Sequence, residues 1–110
     1  MRFYPLDKLI NLHDDYSRQF KIDNHQLLLI QRLGERFLIE AHCPHRGHPL
    51  VSASLVNRSI ECSQHHYQFS LDDGSLLQGR EEPCRGLRTF EIVYQGNEIG
   101  VILNEESAQD

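Results

Sequence analysis

Positive charge, cysteine and long apolar runs are all scarce in this chain, and each scarcity closes off a class of protein. Eleven Lys and Arg stand against 16 Asp and Glu, a formal net charge of −5 with histidine neutral. That balance gives no positive field of the kind that non-specific nucleic-acid or membrane-surface binding needs. The longest apolar run, Leu27-Leu28-Leu29-Ile30, is far too short to cross a bilayer. Arg2, Asp7, Lys8, Asp14, Asp15 and Arg18 interrupt residues 1–20, which excludes a secretory apolar core there. Cysteine occurs three times, at Cys43, Cys62 and Cys84. An odd number is a poor disulfide framework and a reasonable metal inventory. Together these absences predict a cytoplasmic protein with no membrane and no nucleic acid among its partners.

What is present suits one globular domain. The 110 residues are 39% hydrophobic and 25% charged, ordinary values for a folded chain. A chain this long buries roughly 65% of its unfolded surface and needs no staples. Short apolar stretches alternate with turn residues, the pattern of an all-β fold. Phe3-Tyr4-Pro5 reads as a first edge strand, and Leu6–His13 as either a helical turn or a loop. Strands are expected at Arg18–Ile22, at Gln26–Leu33 and, across a Gly34-Glu35 turn, at Arg36–Ala41. Leu55-Val56 and Ser59-Ile60 flank an Asn57-Arg58 turn. Tyr67-Gln68-Phe69 is a strand ahead of an Asp72-Asp73-Gly74 turn. Residues 78–86 read as a surface loop, and Leu87–Tyr94 with Ile99–Leu103 as a closing hairpin. The domain is expected to span residues 1–103, with a chemical part at about 42–86 and a polar tail at 104–110.

The chemistry is concentrated. Five of the seven histidines and two of the three cysteines fall between residues 42 and 66. Cys43-Pro44-His45 and Cys62-Ser63-Gln64-His65 form a C-x-H, then sixteen residues, then a C-x-x-H. Each loop offers one thiolate and one imidazole, a donor set suited to zinc or an iron–sulfur centre and not to magnesium or calcium. Zinc sites usually pair like with like, whereas unlike pairs suit an asymmetric two-iron cluster. His42, His48 and His66 compete for the ligand roles. His42 adjoins Cys43, so an extended chain points the two to opposite faces. All three read as solvent-facing polar side chains.

The segments CPHRG and CSQHHYQF resemble the two cluster loops of Rieske ferredoxins, most strongly over residues 43–74. The resemblance implies an all-β, Rieske-like antiparallel β-sandwich or barrel, with a small cluster-binding subdomain made of the two Cys/His loops. It implies one [2Fe–2S] cluster per chain, with Cys43 and Cys62 on an inner iron and His45 and His65 on an outer iron near the surface. Neutral imidazoles leave such a cluster less negative than four thiolates would, and the imidazoles also titrate. Ser63 and His66 stand where the family commonly has proline and glycine. Pro83 corresponds to a third, covering loop, and Cys84 is left as a spectator thiol.

At this length the resemblance implies a monomeric electron carrier and not an enzyme. It would take electrons from a flavoprotein reductase and deliver them to a terminal oxygenase. The alternatives are the small Rieske subunit of a nitrite-reductase-like enzyme and a zinc-stabilised binding module. High-potential Rieske proteins carry an extra loop cysteine pair and hydroxyls near the cluster sulfurs. Here those positions hold His48, Gln64, Tyr67 and Phe69, which implies a low potential. Residues 41–68 carry Arg46, Arg58 and Glu61, a net of +1, and the rest of the chain sums to −6. Partners are therefore expected at the histidine tip.

Overall fold

In the computed structural model the residues described are 2–43, 47, 49–51, 53–62, 67–78 and 85–103. Among them run ten strands: β1 (Arg2–Lys8), β2 (Tyr16–Ile22), β3 (His25–Arg32), β4 (Glu35–Glu40), β5 (Ser54–Val56), β6 (Ser59–Glu61), β7 (Gln68–Ser70), β8 (Leu76–Gln78), β9 (Ile92–Gln95) and β10 (Glu98–Leu103). A single 3-10 turn, Leu9–Asn11, follows β1. The strands form three antiparallel sheets, ordered β1-β10-β9, β2-β3-β4 and β5-β6-β7-β8. Among the described residues no helix is long and apolar enough to cross a membrane.

The sheet β2-β3-β4 is the middle layer, and the one apolar run of the sequence explains why. Successive residues of a strand face opposite sides. Leu28 and Ile30 join Phe37 and Ile39 in one core cluster, together with Ile60, Phe69 and Leu71 of the four-stranded region. Leu27 and Leu29 join Leu38 in a second cluster, with Ile99, Val101 and Leu103 of β10 and Tyr16 of β2. The register pairs Leu28 with Ile39, Ile30 with Phe37 and Leu29 with Leu38, so each cross-strand pair lies wholly on one face. Because both faces are covered, β3 has no polar alternation, and all four residues of the run are within 1% of complete burial.

Two strand junctions lie one residue from where the sequence places them. The β3–β4 turn is Leu33-Gly34, not Gly34-Glu35, and both residues have positive φ, 52° and 79°. A two-residue hairpin loop of that type matches the right-handed strand twist. The β2–β3 turn falls at Asp23-Asn24, with Asp23 at φ 53°, and β3 opens at His25, one residue before the expected Gln26. A further strand, Leu76–Gln78, takes in Gln78, the first residue of the expected 78–86 loop. The closing hairpin is shorter than expected, because residues 88–90 leave it to border β4. Glu40 N–H donates to Arg88 O (3.0 Å), and Phe90 N–H donates to Leu38 O (2.9 Å).

A polar knot fastens the far end of the middle sheet. The Tyr16 hydroxyl donates to Asp7 Oδ2 (2.6 Å), and Asn11 Nδ2 and the Lys8 amide donate to Asp7 Oδ1. These donors hold the Asp7 carboxyl below its usual range, the Tyr16 hydrogen bond contributing most. Burial, and then the Asp7 acceptor, push the Tyr16 phenol up to about 12. An unfolded tyrosine ionises near pH 10. The raised native value therefore contributes stability that is full below about pH 10 and lost as pH climbs through about 12. Denaturant midpoints measured from pH 9 to 12 should fall in the wild type and fall less in Tyr16→Phe. Parallel declines would show that Tyr16 ionises freely.

Candidate metal centre

Both cysteines continue an inward-facing row of a strand. Phe37, Ile39, Ala41 and Cys43 alternate along β4 and its extension, and all four belong to the first core cluster. Ile60 and Cys62 do the same from β6, and Tyr67, Phe69 and Leu71 along β7 and the residues flanking it. Cys43 is 2% exposed and Cys62 1%. Both are thiols and not a disulfide.

Each cysteine opens a loop that is closed at its base. Leu50 N–H donates to Ala41 O (2.8 Å), and His42 and Pro49 form an antiparallel bridge. Inside this frame Gly47 N–H donates to Cys43 O (2.7 Å). Gly47 has φ 74° and no atom within 4 Å of an added Cβ. The second loop is shorter, with Cys62 N–H donating to Tyr67 O (2.8 Å). In sequence, His45 lies between Cys43 and Leu50 and His65 between Cys62 and Tyr67. Both lie outside the described residues, as do His48, His66, Pro83 and Cys84.

His42 faces away from Cys43, as strand alternation requires. It lines a pocket on the other face of β4 with Glu40, Arg88 and Phe90. Half-buried in that wall, it is not the fully solvent-facing side chain the sequence suggests.

The roots of the loops are tied together by residues that the sequence does not flag. Glu40, three residues before Cys43, accepts from Arg85 Nη1 (2.6 Å) and Nη2 (2.9 Å) and from the Arg88 amide (2.6 Å). This anchors Arg85 and Arg88 to the root of the first loop. A backbone crossing adds a second anchor. Leu87 N–H donates to Gly74 O (2.7 Å), and a Cβ on Gly74 would lie 2.0 Å from Leu87 O. Asp72-Asp73-Gly74 reads as a turn in sequence, but nothing there announces the chain that crosses it. Nor does the expected charge of the tip survive intact. The Arg58 guanidinium binds the carboxylates of Asp72 and Glu35 and lies 5.5 Å from the Phe37 ring centroid. It fastens the β5–β6 turn to its neighbours and is not a free docking charge. Arg46 lies outside the described residues.

Two thiols from separate loops, buried in one apolar cluster and not bonded to each other, fit a thiolate-bound metal group. A buried thiolate is costly without a cation, and metal coordination deprotonates the thiol and supplies one. Antiparallel sheets carrying two such loops define an all-β module with a metal-compatible thiol pair. The chain belongs to the Rieske family: the Rieske [2Fe-2S] domain model matches residues 2–91. A curated relative, the ferredoxin component of the alkene monooxygenase system of Xanthobacter autotrophicus, is 27% identical over 90 residues, covering 81% of this chain and 71% of that protein. The ferredoxin of carbazole 1,9a-dioxygenase from Nocardioides aromaticivorans superposes with a TM-score of 0.78 at 21% identity, covering 92% of this chain and 97% of that one. The Sphingomonas yanoikuyae B1 ferredoxin gives 0.78 at 17% identity, over 94% of this chain and 100% of that one.

The glycine crossing has a measurable signature. Gly47→Ala meets only the left-handed backbone penalty, roughly 1–2 kcal/mol. Gly74→Ala meets the same penalty at φ 80° plus the clash with Leu87 O, for a total of roughly 3 kcal/mol or more. Urea denaturation of the two variants should rank them in that order. Equal losses would contradict the crossing.

Proposed function

We propose that this protein is a one-electron carrier of the ferredoxin type, in which Cys43, His45, Cys62 and His65 hold one [2Fe–2S] cluster. The observation that carries the proposal is the arrival of Cys43 and Cys62, from two closed loops, in a single buried cluster. Membership of the Rieske family supports it. A bound [2Fe–2S] cluster takes up and returns a single electron. The chain's own residues set the terms of that exchange. Cys43 and Cys62 sit on the apolar layer, where water is excluded. His45 and His65 supply neutral donors, which favour reduction relative to an all-cysteine site.

Partners follow from the relatives. One relative is the ferredoxin component of an alkene monooxygenase system. A further ferredoxin, in complex with the oxygenase of carbazole 1,9a-dioxygenase, shares the fold at a TM-score of 0.75 and 20% identity, over 90% of this chain and 100% of that one. By analogy this chain receives electrons from a flavoprotein reductase and delivers them to an oxygenase. The domain is taken as residues 1–103, working as a monomer in the cytoplasm.

The potential is set by what surrounds the sulfurs. Hydrogen bonds to sulfur stabilise the more negative, reduced state. The fully buried Phe69 brings no hydroxyl, and the buried Tyr67 carries its own at the far end of a ring. His48 and Gln64 cannot form a loop disulfide. Protein-film voltammetry should show a reversible one-electron wave near the bottom of the Rieske range, about −150 mV. Cys62→Ser should lose the wave and Cys84→Ser keep it. A colourless protein with no wave and one zinc per chain would overturn the carrier reading.

A further inference from the structure

The face of β4 opposite the cysteines carries a second polar feature, separate from the cluster loops. A pocket of about 240 Å³ is lined by Asn24 of the β2–β3 turn, His25 and Gln26 of β3, Glu40 at the end of β4 with Ala41 and His42 just beyond it, and Arg88 and Phe90. Its polar groups are unevenly matched. Glu40 brings the carboxylate of the lining, and both its oxygens are already engaged by Arg85 and the Arg88 amide. Gln26 Oε1 accepts from Gln19 Nε2, which leaves the Gln26 amide N–H groups for other acceptors. The Arg88 guanidinium, the Asn24 amide and the His42 ring have no side-chain partner among the described residues. The His25 ring is held edge-on to Phe90, with centroids 6.3 Å apart. The pocket therefore offers donors around a charge-compensated floor, the pattern that recognises an anionic oxygen pair.

We propose that this pocket receives the carboxylate of an Asp or Glu side chain from a partner protein. Arg88 would supply the charge, and Asn24, Gln26, His25 and His42 the surrounding hydrogen bonds. A protein side chain is favoured over a free anion because Arg88, Asn24 and Gln26 are exposed. A single solvated guanidinium holds a free anion weakly. An acidic side chain arrives with the rest of an interface, which bears the cost of association once. The location suits such a contact. His42 precedes Cys43, so a partner gripping this pocket lies against the root of the first cluster loop. In a chain of net charge −5, a local donor pocket also fixes the orientation in which an acidic patch can approach. The pocket's chemistry is independent of the carrier reading, since neither cysteine takes part.

The test uses the oxidised, cluster-loaded protein labelled with nitrogen-15. It is titrated at constant ionic strength with a short Asp/Glu-containing peptide, with acetate and with inorganic phosphate. The peptide should give saturable shifts at Asn24, Gln26, the Arg88 amide and the Arg88 Nε–H, and it should bind more tightly than either free anion. Arg88→Gln should weaken the peptide by about fivefold, while leaving the visible spectrum and the midpoint potential unchanged. Absence of saturation, or saturation that is unaltered in Arg88→Gln, would overturn the site. Acetate or phosphate binding as tightly as the peptide would overturn its assignment to a protein side chain. Failure of the cluster itself would show in the optical spectrum and not in these shifts.

Discussion

Burial of β3 on both faces is the constraint on which the rest of the structure depends. A strand covered on one side can alternate polar and apolar residues. Leu27, Leu28, Leu29 and Ile30 cannot, because β10 lies over one face and the sheet β5-β6-β7-β8 over the other. Each such side chain contributes roughly 1.5–3 kcal/mol when removed from water. A polar residue at any of the four positions would leave a core open or an orphaned hydrogen-bonding group. The middle sheet thereby joins two cores that share no side chain.

The site inherits its geometry from that sheet by simple periodicity. β4 is held in register by β3, so its inward row runs on through Ala41 to Cys43. The same alternation turns Glu40 and His42 the other way. Glu40 then meets Arg85 and Arg88, and the returning chain is clamped to the root of the first loop. One strand thus carries an apolar row ending in the Cys43 thiol on one face and a polar clamp on the other. The second loop leans on the first through the shared cluster of Tyr67, Leu50 and Leu87. Arg58, bridging Asp72 and Glu35, ties its hairpin to the middle sheet and holds the Asp72 carboxyl below its usual range. Both partners are solvated, so the pair fixes orientation more than it adds stability.

Much of this was legible in the sequence. Period-two alternation and turn residues identified the hairpins, and the thiolate–imidazole spacing singled out Cys43 and Cys62. The all-β class and the Rieske family followed from the same segments, and the family match confirms them. What escaped sequence reasoning depends on contacts between distant segments. Glu40 looks like the polar end of a strand until Arg85, 45 positions later, is seen against it. Gly74 looks like any turn glycine until Leu87 crosses it. Leu33 gives no sign that it will adopt a left-handed conformation, which the hairpin twist and Gly34 impose on it. The departure of residues 88–90 from the closing hairpin follows from the open edge of β4, which no local pattern reveals.

In the proposed site two thiolates hold one iron and two imidazoles the other, so the two irons differ in ligand type. Iron-57 Mössbauer spectroscopy of the oxidised protein tests it most directly, because it reports on each iron's ligands. The account predicts two quadrupole doublets of equal area with distinct isomer shifts, one for a thiolate-ligated iron and one for an imidazole-ligated iron. A single doublet, or a protein loaded with zinc and free of iron, would contradict it.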